Sequence, residues 1–232
     1  PANFRYLKNF LKMEGVTKID GLLADLGVSS NQFDIAERGF STRFDSDLDM
    51  RMDLNSTLSA KEVVNDYSEK DLADVLYKYG ELRKSRKIAA AIVEARNIEK
   101  INTTSTLVKV VKDLVFERYR NQFLARIFQA IRIEVNDEIS SLKEMLISAV
   151  DILNPGGRLV VLSYHSLEDR LVKNLIKTGS LSGNLEKDFY GNPIKVLKQI
   201  NKKVIVASEY ELRDNTRARS AKLRIAEKIY EN

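Results

Sequence analysis

The chain has 232 residues, 44% hydrophobic and 31% charged, enough apolar material for one large core or two small ones and too much for a disordered chain. With no cysteine and one histidine, it offers neither a disulfide framework nor a thiolate metal site, which suits a reducing cytoplasm. The net charge of +5 permits a nucleic-acid partner without requiring one, and no apolar run reaches the ~18 residues of a membrane helix.

Taken in chain order, Phe4, Leu7, Phe10 and Leu11 already recur at helical spacing, so residues 4 to 14 predict a helix ending at Gly15. Pro1 stands first, and the chain reads as beginning in mid-domain. Ile19, Leu22, Leu23 and Leu26 mark a buried strand over 18 to 26, with Asp25 at its end and Gly27 in the following turn. Residues 28 to 56 form a long polar loop, and loops of that length are commonly functional. Ser59-Ala60-Lys61-Glu62 predicts a capping box. Ser68 opens a second helix closed by Gly80, Ser85 a third to Arg96, and Thr104 a fourth to Tyr119. Residues 121 to 153 read as one or two long helices stopped by Asn154-Pro155-Gly156-Gly157. A buried strand follows over 158 to 163, then a helix from Ser166, with Ser166 as its N-cap. After a loop at 179 to 192, two short strand-like runs lie within 194 to 207. The last strand alternates, Ala221, Leu223 and Ile225 on one face and Lys222 and Arg224 on the other.

This order predicts an α/β fold: a parallel sheet formed by residues 1–34 and 121–232, interrupted by an all-helical insertion at 35–120. Two strand ends then carry the chemistry. Asp25 lies where open α/β sheets bind ligands, though it reads equally as a loop acid that ties down its own turn. Tyr164 and His165 follow the second buried strand, at the same end of the sheet if the two strands are parallel. An aromatic ring and an imidazole there suit a planar substrate and a proton, while the same run also reads as a capped helix start. A serine-hydrolase reading of Ser163, His165 and Asp169 fails for want of a G-x-S-x-G elbow. Basic clusters include Arg83 and Arg86 on the insertion, Arg126 on the long helix, and Arg217 and Arg219 near the end. Guanidinium groups suit RNA phosphates, and a solvated surface is the competing reading for each.

These blocks match a known family. D-G-L-L-A-D-L-G-V-S-S at 20 to 30, E-R-G-F-S at 37 to 41 and L-D-M-R-M-D at 48 to 53 come first. F-Q-A-I-R-I-E-V-N at 128 to 136, P-G-G-R-L at 155 to 159, S-Y-H-S-L-E-D-R at 163 to 170 and N-T-R-A-R-S-A-K-L-R-I-A-E at 215 to 227 follow in family order. The chain resembles the bacterial MraW-type methyltransferases, which modify N4 of a cytosine in small-subunit ribosomal RNA using S-adenosylmethionine.

The resemblance implies a class I methyltransferase sheet with a helical insertion that recognises RNA. It implies cofactor contacts at Asp25, Gln32 and, with a looser alignment, Phe4. It places Asp25, Tyr164 and His165 around the reacting amine, gives Asn136 a polar contact, and leaves a homodimer open. Arg51 is expected to pair with Asp49 or Asp53 rather than with phosphate. Family members carry further sequence upstream, including a glycine-rich strand-turn, so the Asp25 strand is expected to have a bare edge and these residues alone to bind S-adenosylmethionine weakly. A non-catalytic RNA-binding or ribosome-assembly module is the rival reading. A DNA amino-methyltransferase would carry an acid-or-Asn-Pro-Pro-aromatic signature that is not present.

Overall fold

The computed structural model describes residues 2–29, 35–185, 187–192 and 194–230. Its helices are Leu7–Met13 (α1), Ala60–Asp66 (α2), Glu69–Gly80 (α3), Ser85–Ile98 (α4), Thr104–Val111 (α5), Arg120–Val135 (α6), Glu138–Ile152 (α7), Ser166–Thr178 (α8) and Glu209–Asp214 (α9). The strands are Ile19–Asp25 (β1), Leu153–Ser163 (β2), Leu197–Gln199 (β3), Ile205–Val206 (β4) and Lys222–Lys228 (β5). The chain divides into two compact units, Pro1–Gly27 with Ile139–Asn232, and Val28–Glu138.

The first unit is a sheet in the order β1-β2-β5-β3, with β4 beside β5. β1 and β2 are parallel, with Asp25 opposite Leu162. The expectation of a parallel sheet fails at β5, which runs antiparallel to β2, β3 and β4. The chain leaves β4, turns through α9 and re-enters the sheet from the end it has just reached. A short return of that kind reverses strand direction, whereas a parallel neighbour needs a longer crossover.

The core lies on one face of this sheet. Leu142, Met145, Leu146 and Ala149 of α7 and Val172, Leu175 and Ile176 of α8 pack on Leu159, Val161, Leu26 and Ala226, and Leu7 of α1 joins them. Strand side chains alternate, so Leu23 falls on the other face and is 72% exposed, against the expectation of a fully buried strand. β1 pairs only with β2 among the described residues. The alternation of β5 is also resolved this way. Ala226 sits in the core, on the same side as Lys222 and Arg224, which reach Asp169 on α8.

The Asn154-Pro155-Gly156-Gly157 stop proves to lie inside β2. Leu153 pairs with Ile19 and Arg158 with Gly21, so the intervening residues form an irregularity in the ladder. Gly156 has φ +82°, and a Cβ on Gly157 would stand 2.8 Å from the Asn154 carbonyl oxygen. Glycine is therefore needed where the chain passes from helix α7 into the strand with almost no linker.

The second unit is helical, α2 to α6, with the irregular segment before α2 folded onto it. Ser59 and Glu62 form the predicted capping box, Glu62 Oε2 accepting from the Ser59 N–H at 2.7 Å. Ser68 caps α3 as expected, accepting from the Asp71 N–H at 3.1 Å. This unit extends through α6 to Glu138, beyond the boundary at 120 read from the sequence, because α6 packs on α2 and α3. The segment at 121 to 153 is two helices, with Asp137 at φ 46° between them.

Two helix ends differ from expectation. Gly80 is the last residue of α3, and the left-handed cap is Glu81, at φ 51°. A Cβ on Gly80 would stand 3.0 Å from the Arg126 carbonyl oxygen and 3.0 Å from the Leu82 side chain, so the tight approach of α3 and α6, rather than its own dihedrals, favours glycine there. Gly80→Ala is therefore expected to destabilise the unit by about 1–3 kcal/mol in urea titrations through overpacking, although alanine is the better helix former. A stabilised variant would refute that account. The predicted helix from Thr104 to Tyr119 ends at Val111. Beyond it Val115 and Phe116 are extended between two 3-10 turns. Four valines between 108 and 115 weaken the helix here.

Candidate active site

β1 and β2, being parallel and in register, bring their carboxyl ends together. Tyr164 follows β2 directly and Asp25 ends β1, and the Tyr164 hydroxyl donates to Asp25 Oδ1 at 2.8 Å. The Leu26 N–H donates to the Leu162 carbonyl at 3.0 Å, which continues the ladder one residue past the strand and fixes the spacing of the two turns. Gly27 turns the chain with φ +88°, and a Cβ there would touch the Tyr164 ring at 3.7 Å. Asp25 is exposed, and its second carboxylate oxygen has no hydrogen bond among the described residues. Burial, and then the hydrogen bond to Asp25, push the Tyr164 phenol up to about 12.

That shift is directly measurable. The neutral phenol is the form the fold favours, so Tyr164 should remain protonated while ordinary tyrosines ionise near 10.0, and the stability it contributes should fall between 10.0 and about 12. Phenolate absorbance should show Tyr164 and Tyr67, the latter also pushed up to about 12, ionising last. Asp25→Asn should lower the Tyr164 midpoint yet leave it above 10.0, because burial is the larger cause. A Tyr164 midpoint unchanged in that variant would remove the carboxylate from the account.

His165 occupies the N-cap of α8, the position expected for Ser166. Its Nδ1 accepts from the Glu168 N–H at 3.4 Å, and Glu168 Oε2 accepts from the N–H groups of Tyr164 and His165 at 2.9 and 3.2 Å. His165 Nε2 lies 3.1 Å from Glu168 Oε1, with the imidazole 8% exposed. The histidine thus fixes the turn that carries Tyr164. Asp169 is bonded by Arg224 at 2.7 and 3.1 Å rather than by His165, which leaves no Ser-His-Asp relay in the S-Y-H-S-L-E-D-R run.

The charged motifs at 37 to 53 form a knot within the helical unit. Arg51 is bidentate on Asp49, at 2.9 and 2.8 Å, as the sequence reading allowed. That hydrogen bond outweighs burial and holds Asp49 below the usual carboxylate range. Arg51 also donates to the carbonyls of Leu54 and Ser56, and Arg38 to those of Arg51 and Met52. A Cβ on Gly39 would collide with the Asp47 carbonyl oxygen, and its φ is +68°, so only glycine fits that position. Asn136 accepts from the Met52 N–H at 2.6 Å and donates to the Met50 and Arg132 carbonyls at 2.8 and 2.9 Å. Its polar contact is thus with the loop backbone, and the most charged stretch of the chain largely satisfies itself.

The model of the MraW methylase family matches residues 1–229. The chain belongs to the MraW methylase family. It is 54% identical over 227 residues to the ribosomal RNA small subunit methyltransferase H of Bacteroides thetaiotaomicron, covering 98% of this chain and 75% of that protein. It is 56% identical over 227 residues to the protein of the same name from Flavobacterium johnsoniae, with the same coverage of 98% and 75%. The chain thus spans about three quarters of the length of these relatives.

The family fold is the class I methyltransferase sheet expected from the motifs. Phe4 lies in the 3-10 turn before α1, which runs beside α7: Asn3 bonds Ser141 and Lys8 bonds Asp151. Because α7 leads into β2, its Ser141 end lies at the carboxyl end of the strands, and Phe4 is therefore at the same end of this unit as Asp25. Gln32 lies outside the described residues. Arg83, Arg86 and Arg126 are exposed on the helical unit, and Arg217 and Arg219 are exposed in the 3-10 segment before β5. No helix among the described residues is long and apolar enough to cross a membrane.

Proposed function

We infer that this protein methylates the N4 amine of a cytosine in small-subunit ribosomal RNA, with S-adenosylmethionine as donor. The observation that carries the reading is the family match along residues 1–229, which includes both strand-end turns. It favours an enzyme over the non-catalytic RNA-binding module. Cytoplasmic location and a homodimeric state belong to the same proposal.

The strand mouth fits one side of the cofactor. Asp25 keeps a free acceptor oxygen at the mouth of a parallel strand, beside a glycine turn that admits close approach. Asp25, Gln32 and Phe4 would hold S-adenosylmethionine, which supplies an electrophilic methyl group. The cytosine N4 lone pair is delocalised into the ring, so the protein must align the amine and accept its hydrogen bonds as positive charge develops. Asp25 supplies that acceptor and Tyr164 flanks the base. His165 acts through the turn it caps, so His165→Ala should lower turnover more than cofactor affinity. A base must also leave its stack to arrive here. The helical unit would grip the surrounding RNA through Arg83, Arg86 and Arg126, joined by Arg217 and Arg219.

The test is transfer of labelled methyl groups to small ribosomal subunits that lack the modification, using the protein as its gene encodes it. Nucleoside analysis should find the label as N4-methylated cytidine. Label on carbon 5 of the ring, or transfer to naked DNA instead of subunits, would overturn the assignment.

A further inference from the structure

The helical unit contains a cavity of about 500 Å³ between the start of α4, the broken segment after α5, and α6. Its apolar part includes Phe123, and Phe116 stands at the wall with 78% of its surface exposed. Arg83, Lys84, Lys87 and Arg126 surround it. None of these four forms a salt bridge among the described residues; of the two acids in the lining, Glu81 and Asp113, the latter is held by Arg120 at 3.4 Å, which leaves the cations in excess.

The helix predicted through Tyr119 would have carried Phe116 on a regular surface. The break after Val111 instead leaves it in extended backbone at the cavity. An exposed aromatic ring beside unpaired cations matches one chemistry closely. A single-stranded nucleotide offers a flat base to the ring and a phosphate to the cations, and such stacking tolerates any base. A volume near 500 Å³ is in the range of small-ligand sites and suits one nucleotide, not a duplex. An acidic peptide would satisfy the charge but leave the aromatic face without a planar partner.

We propose that this cavity binds one unstacked nucleotide of single-stranded RNA beside the target, its base on Phe116 and its phosphate among Arg83, Lys87 and Arg126. The proposal rests on the RNA-methyltransferase reading and adds a second RNA contact outside the Asp25 site. It makes the cavity a specificity element for unpaired RNA.

These 232 residues contain no tryptophan, so Phe116→Trp places a reporter at the cavity, with the unaltered protein as the blank. In the protein as its gene encodes it, titration with a short oligouridine, whose bases stack little on one another, should quench that fluorescence saturably. The matching duplex and polyglutamate should not. Phe116→Ala should weaken oligouridine binding about tenfold, the scale of one base stacked on an aromatic ring, and should raise KM for ribosomal subunits without lowering kcat. Arg83→Ala combined with Arg126→Ala should reduce the salt dependence of binding by about 0.7 in log–log slope, one single-strand phosphate contact. Absence of quenching by oligouridine, or equal quenching by polyglutamate, overturns the proposal if unaltered protein still methylates subunits. If unaltered protein transfers no methyl group to subunits, the parent reading fails as well.

Discussion

Asp25→Asn is expected to lower methyl transfer to ribosomal subunits by about 100-fold or more, the usual scale for removing one preorganised group facing developing charge. Asparagine keeps the size of the side chain and can still accept from the Tyr164 hydroxyl, which lies 2.8 Å from Oδ1. What it loses is the negative charge and the second acceptor oxygen. Because Asp25 is exposed, the thermal midpoint should change little, so the loss would be chemical rather than structural. Tyr164→Phe is the companion variant. It leaves the charge but frees the carboxylate to rotate, and should cost less, about tenfold. The measurement is single-turnover transfer at saturating donor. An Asp25→Asn enzyme within twofold of the unaltered one would remove Asp25 from the chemistry and reduce it to a turn residue.

The second large effect is on stability. Arg224→Ala should destabilise the α/β unit by about 3–5 kcal/mol, because it strands a buried carboxylate. Asp169 and Arg224 are 12% and 13% exposed and joined by two hydrogen bonds at 2.7 and 3.1 Å, with Lys222 a weaker third partner at 3.5 Å. This cluster joins α8 to β5. Replacing both partners by apolar residues of similar volume should restore much of the loss.

The pH dependence has a defined sign. Burial raises the Asp169 pKa, but the Arg224 hydrogen bond and the nearby positive charges outweigh it, so the folded value lies below 3.8. The unfolded state therefore takes up the proton first. The stabilisation is complete above the ordinary carboxylate range and is lost as pH falls from there through the folded value. Urea denaturation across that window should show the loss in the unaltered protein and not in the doubly apolar variant. A loss under 1 kcal/mol in Arg224→Ala would show that the pair is not what holds α8 to β5.

Local signals were legible wherever a residue acts on its own neighbours. The Ser59–Glu62 box, the Ser68 cap, the bidentate Arg51–Asp49 pair and the Asp25 strand end all follow from spacing within a few residues. Signals that depend on distant chain were misread. Gly80 has the look of a C-cap, yet its reason is a carbonyl on α6 that no local pattern reveals. Ser166 is the better N-cap residue by type, but His165 takes the position because Glu168 closes the box onto it. The antiparallel sense of β5 depends on how the chain re-enters the sheet, which alternation cannot encode.

By itself the sequence determined the family, the helical insertion and the two turns on which the chemistry would rest. Its ordered motifs and apolar periods are properties of neighbouring residues along the chain. Only the tertiary structure decided that Asp25 and Tyr164 share a hydrogen bond, that His165 braces their turn, and that Phe116 stands at a cationic cavity. Asp25 and Tyr164 are 139 residues apart in sequence, and their contact exists because parallel pairing of β1 with β2 sets both strand ends at one level. Phe116 is exposed because a helix stops early, and the fold sets that stop together with propensity.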